Sequence, residues 1–384
     1  MPFDTRSSWS ALALVPLASA AVFDMPITFR NTYALVEVGA GTPSESHFLE
    51  FDTGSSTPWM VDSVCAENCT NHSGWSRNGY DSNASSSSFE LGTYAEIRYL
   101  GGVTSGRGVS DTFTVGNTSF QQFFMAADES NWSWMPADGF LGLAFSSIAD
   151  AGTQTMVETM MQADLLDEPR FSIYYGKELN DTGNVPGDGV LTIGGSKEEK
   201  YVDGDMTWLS LQKRNGAYQV WRSTMRSMTG SKQGVNDTPV DTPLHFSTAW
   251  GVFDTGAGGI TVPPLDVESI YRSIGWNYTA ILKGDHIPLC TEFNNTWSVS
   301  FTFGDNDTNT STITITGDQL ARPGFAYRED ACNPPFDSGD TNGFFLFGTT
   351  LLQQFYTVWD FGAQYVNDYQ PQLGFGNLKD EYRP

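Results

Sequence analysis

Phe51-Asp52-Thr53-Gly54-Ser55-Ser56 is answered further along the chain by Phe253-Asp254-Thr255-Gly256-Ala257-Gly258. Asp254 falls 202 residues after Asp52 in a chain of 384, roughly half its length. A lone Asp-Thr-Gly marks a turn more often than a site, because Asp and Gly are common turn residues. Here each copy follows an apolar run and precedes a second shared element. Asp138-Gly139-Phe140-Leu141-Gly142-Leu143 puts Gly142 90 residues after Asp52, and Phe344-Phe345-Leu346-Phe347-Gly348-Thr349 puts Gly348 94 residues after Asp254. Two unrelated turns do not account for that matched spacing. A duplicated, two-lobed body does, with each half bringing one carboxylate to a shared cleft.

Composition agrees with such a body. Charged residues make up only 17% of the chain and aromatics 14%, with 39 glycines, which suits an all-β, turn-rich protein better than a helical one. The net charge of −25 comes without a basic cluster, so nucleic acid and anionic membrane surfaces are disfavoured as partners. With 45 acids against 20 bases, self-repulsion relaxes as pH falls toward the pI of about 4.3.

Residues 1–21 have the form of a secretory signal. Arg6 precedes the apolar stretch Ala11–Leu17, and Ala18-Ser19-Ala20 supplies small residues before a cleavage point. That stretch is too short to span a bilayer, and no other segment reaches about 18 apolar residues. The expectation is a soluble protein, secreted or vacuolar. Eleven Asn-x-Ser/Thr sequons, at Asn68, Asn71, Asn83, Asn117, Asn131, Asn180, Asn236, Asn277, Asn294, Asn306 and Asn309, suit a glycosylated surface. The four cysteines are even in number, as export favours. Cys65 with Cys69 and Cys290 with Cys332, each pair inside one half, is the simplest of the three possible connectivities. The cysteine spacing lacks a CxxC, and the four histidines do not cluster, so a metal site is not expected.

Strand patterns run over Tyr33–Gly39, Ala95–Tyr99, Val109–Val115, Phe171–Tyr175, Val190–Ile193, Ser298–Phe303 and Ile313–Thr316. Gly101, Gly102, Gly106 and Gly108 form the expected tip of a hairpin between the second and third of these. That tip is no phosphate loop, since it lacks a Lys-Ser/Thr ending and a following helix. A mobile lid over a cleft fits better. Helices are expected at Gln154–Leu166, Asp266–Gly275 and Thr350–Phe355. Ser85–Ser88 and Gly230–Pro243 read as surface loops. The lobe boundary is expected within Gly195–Gly204, giving an N-terminal lobe over 22–198 and a C-terminal lobe over 199–384.

Two carboxylates at hydrogen-bonding distance do not both ionise cheaply, so one keeps its proton. The charged member can then deprotonate a water held between them, while the protonated member polarises a carbonyl. Neither metal nor cofactor is required. Gly54 and Gly256 let backbone amides approach the carboxylates. Thr53 and Thr255 can bond across the lobe junction. Ser55 can donate to Asp52 and favour its charged form, making Asp52 the expected ionised member of a coupled pair.

From about Tyr33 to about Asn377 the chain resembles the pepsin-like aspartic proteases, particularly the fungal secreted ones. The residues that carry the resemblance are the two Asp-Thr-Gly motifs, Trp59, the hairpin Ile97-Arg98-Tyr99 with Gly101 to Gly108, Asp138 to Ala144, Val190 to Gly195, and Phe347-Gly348 through Phe355 to Asp360. It implies a bilobal acid protease fold with a deep cleft, polypeptide substrates, pepstatin-type inhibitors, a substrate-binding hairpin tyrosine at Tyr99 and its indole partner at Trp59. A self-contained cleft gives no reason to dimerise, so a monomer is expected.

Three departures from the family pattern stand out. Ala257 and Gly258 stand where hydroxyl residues are usual, so Asp254 lacks a donor to its charged form. About a dozen residues separate the signal cleavage point from Tyr33, little room for a prosegment. Gly101 stands where some fungal relatives carry Asp, so a basic residue before the cut bond is not expected to be favoured, and bulky apolar residues on both sides are. The competing readings are a catalytically inactive peptide binder on the same scaffold, favoured by Ala257-Gly258 alone, and a glycosidase, which leaves the repeat unexplained.

Overall fold

The structure, a computed structural model, describes residues 21–179, 181–234, 238–306 and 308–384. The signal-like segment therefore lies outside the described residues, apart from Ala21, as do Asn180 and Asn236. The fold is all-β and bilobal, built from three sheets. An eight-stranded sheet holds the first Asp-Thr-Gly, and a seven-stranded sheet holds the second. A six-stranded sheet draws from both halves in the order Phe23–Pro26, Val190–Ile193, Arg170–Tyr174, Phe355–Asp360, Gln372–Asn377, Thr207–Ser210.

The spacing of the repeated elements has a direct cause. Glu45–Asp52 pairs in parallel with Gly139–Gly142, aligning Asp52 with Gly142. Pro239–Phe253 pairs in parallel with Phe344–Phe347, aligning Phe253 with Phe347. Parallel neighbours need a long connection, which is why the partner lies about 90 residues on. At Gly142 a Cβ would sit 2.6 Å from the Ser56 carbonyl carbon, and at Gly348 2.3 Å from the Ala257 oxygen. Each apolar-apolar-Gly element is thus pressed against the motif loop of its own half. Leu143 N donates to Asp52 O at 2.7 Å, and Thr349 N donates to Ala257 O at 2.7 Å.

Aromatic packing joins the halves. Phe145, just beyond the first repeated element, packs on Trp221 at 4.8 Å, and Trp221 packs on Trp359 at 5.3 Å. Trp359 in turn stacks on Phe171 at 5.6 Å. All four are buried, so the interlobe floor takes a large aromatic area out of water. Cys65–Cys69 and Cys290–Cys332 form disulfides, each within one half.

Helices are short and stop where local chemistry stops them. The segment expected to be helical over Gln154–Leu166 is helical only over Met156–Gln162, because Asp164 takes a φ of 52° and turns the chain back. The other two expected helices contract to Val267–Ser273 and Thr349–Leu352. The hairpin tip is also shorter than expected. Its strands are Phe89–Arg98 and Val103–Val115, so Gly106 and Gly108 sit inside the second strand. There a Cβ would come within 2.2 Å of Ala126 O and 2.1 Å of Ala151 O, so both glycines serve close backbone packing.

Of the expected loop Gly230–Pro243, Gly230–Gln233 and Pro239–Pro243 are strand instead, and 235–237 lie outside the described residues. Strands run over Arg222–Gln233 and Pro239–Phe253 and pair from Ser227–His245 out to Gln233–Pro239. Gly230 lies so close to Ser273 that a Cβ would meet its hydroxyl at 2.0 Å. Pro239 and Pro243 are tolerated because the strand Phe344–Phe347 covers only Trp250–Phe253, leaving that stretch an open edge. Among the described residues, no helix is long and apolar enough to cross a membrane. Of the nine described sequon asparagines, seven are exposed, which leaves their side chains accessible.

Candidate active site

Asp52 ends the strand Glu45–Asp52, Asp254 directly follows the strand Pro239–Phe253, and each carboxylate is held by the amide of the glycine two residues on. Gly54 N donates to Asp52 Oδ1 at 2.8 Å, and Gly256 N donates to Asp254 Oδ1 at 2.9 Å. A Cβ on Gly54 would stand 2.4 Å from Asp254, and one on Gly256 would stand 2.7 Å from Asp52 Oδ1. Each glycine therefore makes room for the carboxylate of the opposite half.

The two threonines tie the loops together reciprocally. Thr53 N donates to Thr255 Oγ1, and Thr255 N donates to Thr53 Oγ1, both at 3.0 Å. Thr53 Oγ1 donates to Phe253 O at 3.0 Å, and Thr255 Oγ1 donates to Phe51 O at 2.6 Å. All four bonds are buried, where losing a partner costs most.

The symmetry fails at the next residue. Ser55 Oγ donates to Asp52 Oδ2, while Ala257 offers Asp254 no hydroxyl. Desolvation at the cleft floor, then the Asp52 carboxylate and the hydrogen bond shared with it, hold Asp254 well above the ordinary carboxylate range. The arrangement favours a proton on Asp254.

A cleft of about 640 Å³ opens over the pair. Ile97, Tyr99, Leu100 and Gly101 of the hairpin form its lid, with Trp132 and Phe140 behind. Tyr99 N donates to Gly102 O at 2.8 Å, closing the tip. The Tyr99 ring meets Phe140 at 5.3 Å and Trp132 at 5.7 Å, both edge-on. Trp59 lies deeper than expected. It is fully buried, packs on Phe140 at 5.2 Å and is not part of the cleft wall. Gly101 has a steric reason: a Cβ there would meet the Trp132 ring at 2.8 Å.

Trp132, Phe140 and Glu50 were not singled out from the sequence. Glu50 is buried near the aspartates, and among the described residues neither its Oε2 nor the Tyr175 hydroxyl, which feels the same charges, has a hydrogen-bond partner. Burial first, then the fields of Asp52 and Asp254, push Glu50 well above its ordinary range. The sequence did carry a signal: Glu50 is the single acid inside Phe48-Leu49-Glu50-Phe51. Asp138 of the first repeated element accepts Phe48 N at 2.7 Å and Asn78 N at 2.6 Å, fastening the strand that leads to Asp52.

A cleft between two duplicated β lobes, floored by paired Asp-Thr-Gly loops, defines an aspartic peptidase architecture. The chain belongs to the eukaryotic aspartyl proteases, whose family model matches residues 32–368. It is similar to cathepsin D of Gallus gallus, 28% identical over 335 residues that cover 84% of this chain and 77% of that protein. It is 30% identical over 350 residues to the probable vacuolar protease A of Trichophyton verrucosum (strain HKI 0517), covering 87% and 77% respectively. Pepsin A of Rhinolophus ferrumequinum is 26% identical over 343 residues, covering 86% and 78%. Peptide hydrolysis, peptide substrates and pepstatin-type inhibition are properties of this family.

Proposed function

We propose that this chain is an acid endopeptidase in which Asp52, ionised, takes a proton from a water that it shares with Asp254. Asp254, protonated, polarises the carbonyl of the bond to be cut. Attack gives a tetrahedral diol, and return of a proton to nitrogen expels the amine. The observation that carries this reading is the unequal donor set on two carboxylates held by one threonine latch. Thr53, Gly54, Ser55, Thr255 and Gly256 act by positioning, and Tyr99 closes over the peptide with Trp59 supporting it from behind Phe140. The apolar wall of Ile97, Leu100, Phe140 and Leu346 supports a preference for bulky apolar residues beside the bond. Gly101, with Trp132 filling the adjacent space, supports weak cleavage after Lys.

The rest of the reading is a secreted, glycosylated monomer, with residues 1–21 removed and lobes over 22–198 and 199–384. A vacuolar destination is the alternative address. The test is cleavage of denatured haemoglobin from about pH 2.5 to 7, with and without pepstatin, beside Asp52→Asn. Pepstatin-sensitive activity that the substitution lowers by at least about a thousandfold is the expected result. A folded preparation without activity would overturn it in favour of the peptide-binding reading.

A further inference from the structure

The cleft does not end at the aspartates. Beyond Asp254 it continues into a second hollow of about 240 Å³, which shares Gly54, Leu100, Asp254 and Leu346 with the first. Its lining changes character. Arg214 and Arg222 enter it, flanked by Gln212 and Gln219, with Trp250 and Phe344 opposite. Two arginines are a notable concentration in a chain carrying 20 Lys and Arg against 45 Asp and Glu.

The two guanidiniums are brought together by backbone, not by sequence proximity. A tight turn closes between Arg214 and Ala217, with Asn215 and Gly216 at φ 53° and 85°. Arg214 N donates to Ala217 O at 2.8 Å. The turn stands beside Arg222, the first residue of the strand Arg222–Gln233, whose guanidinium donates to Lys213 O at 3.1 Å. Among the described residues neither arginine has a carboxylate within ion-pair distance. Of the acids at this corner, Asp254 lines the hollow itself and Asp305 is engaged by Gln212 Nε2, while Lys213 lies over the Tyr218 ring at 5.1 Å. Desolvation and then the neighbouring Arg214 charge lower Arg222 from its ordinary range, as expected where like charges face each other uncompensated.

We propose that this half of the cleft is a carboxylate subsite: Arg214 and Arg222 together select an acidic group on the substrate within about three residues of the cut bond, on one side only. The proposal rests on the endopeptidase reading above. Its chemistry is that of a planar guanidinium pair receiving a carboxylate, with the flanking glutamines as further donors. That carboxylate can come from an Asp or Glu side chain or from the free C-terminus of a short peptide. Apolar residues still occupy the positions beside the bond.

The test uses synthetic peptides with bulky apolar residues at the bond and Glu or Gln scanned outward on both sides. Each is made with a free and an amidated C-terminus. Cleavage is measured at about pH 5, above the usual Glu pKa of about 4.3, and at about pH 3. At one position the Glu peptide should exceed its Gln twin about five- to tenfold in kcat/KM at the higher pH. The ratio should fall to about one at the lower pH, where the side chain is neutral. It should also fall to about one in the Arg214→Ser/Arg222→Gln double variant. A gain confined to free C-termini would identify the terminal carboxylate as the group held. A Glu-to-Gln ratio of about one at every position in the unaltered enzyme, with no effect of the terminus, would overturn the proposal. The pH dependence of that ratio decides the matter even if the variant does not fold. Failure to cut any of the peptides, or cutting that pepstatin does not inhibit, would instead overturn the protease reading beneath it.

Discussion

Ala257 sets the protonation balance by what it lacks. A hydroxyl at that position would donate to the Asp254 carboxylate and favour its charged form. Ala257→Thr is therefore expected to move the alkaline limb of the kcat/KM profile to lower pH by about half a unit to one unit. A superimposable profile would show that the missing donor is irrelevant. Glu50 is a second buried acid whose proton is held. Its folded-state pKa is raised, so the unfolded chain releases that proton first as pH rises. The stability tied to its protonated form is complete below the unfolded value and is lost as pH climbs toward the folded one. Glu50→Gln keeps the shape and removes the titration. Its melting temperature should fall less than the unaltered protein's between about pH 4 and 7, since each unit of raised pKa corresponds to about 1.4 kcal/mol. Parallel curves for the two proteins would refute the assignment.

At the scale of the element, the hairpin is the sensitive part. Leu100 at its tip is 90% exposed and lines both halves of the cleft. Gly101→Asp would drive the tip off Trp132. A fall in kcat/KM of about tenfold, with the melting temperature within a few degrees of the unaltered protein, is the expected outcome. The paired motifs and their partner elements were legible because each is contiguous and because parallel pairing fixes their separation. Boundaries were less so: nothing in Gln154–Leu166 announces that Asp164 turns back at positive φ. Gly230–Pro243 reads as loop from its Gly, Pro, Asn and Asp content. Distant pairing overrides that content, for example Lys232 opposite Trp297. Glu50 gave only the signal of a lone acid in an apolar run, because its burial comes from strands remote in sequence, and the Arg214–Arg222 pair was not legible because a local turn through Asn215 and Gly216, both at positive φ, brings it together.

For the whole molecule, burial raises Asp254, Glu50 and Asp138 above their ordinary values. Each favours the folded state in acid and loses that contribution as pH rises. Buried His47, whose pKa burial lowers, opposes them on the acid side of its ordinary value. The net charge of −25 at pH 7 adds repulsion in the same direction as the carboxyls. The melting temperature should be higher at about pH 4.5 than at about pH 7, and a rise over that interval would contradict this account.

The threonine latch has a mechanical consequence. Thr53 and Thr255 fasten the two halves at the cleft floor, while the hairpin tip and the far walls stand away from it. If one half rocks against the other, the latch is the pivot, and displacement grows with distance from it. The mouth can then widen or narrow around peptides of different bulk while the two carboxylates, lying at the fulcrum, keep their separation.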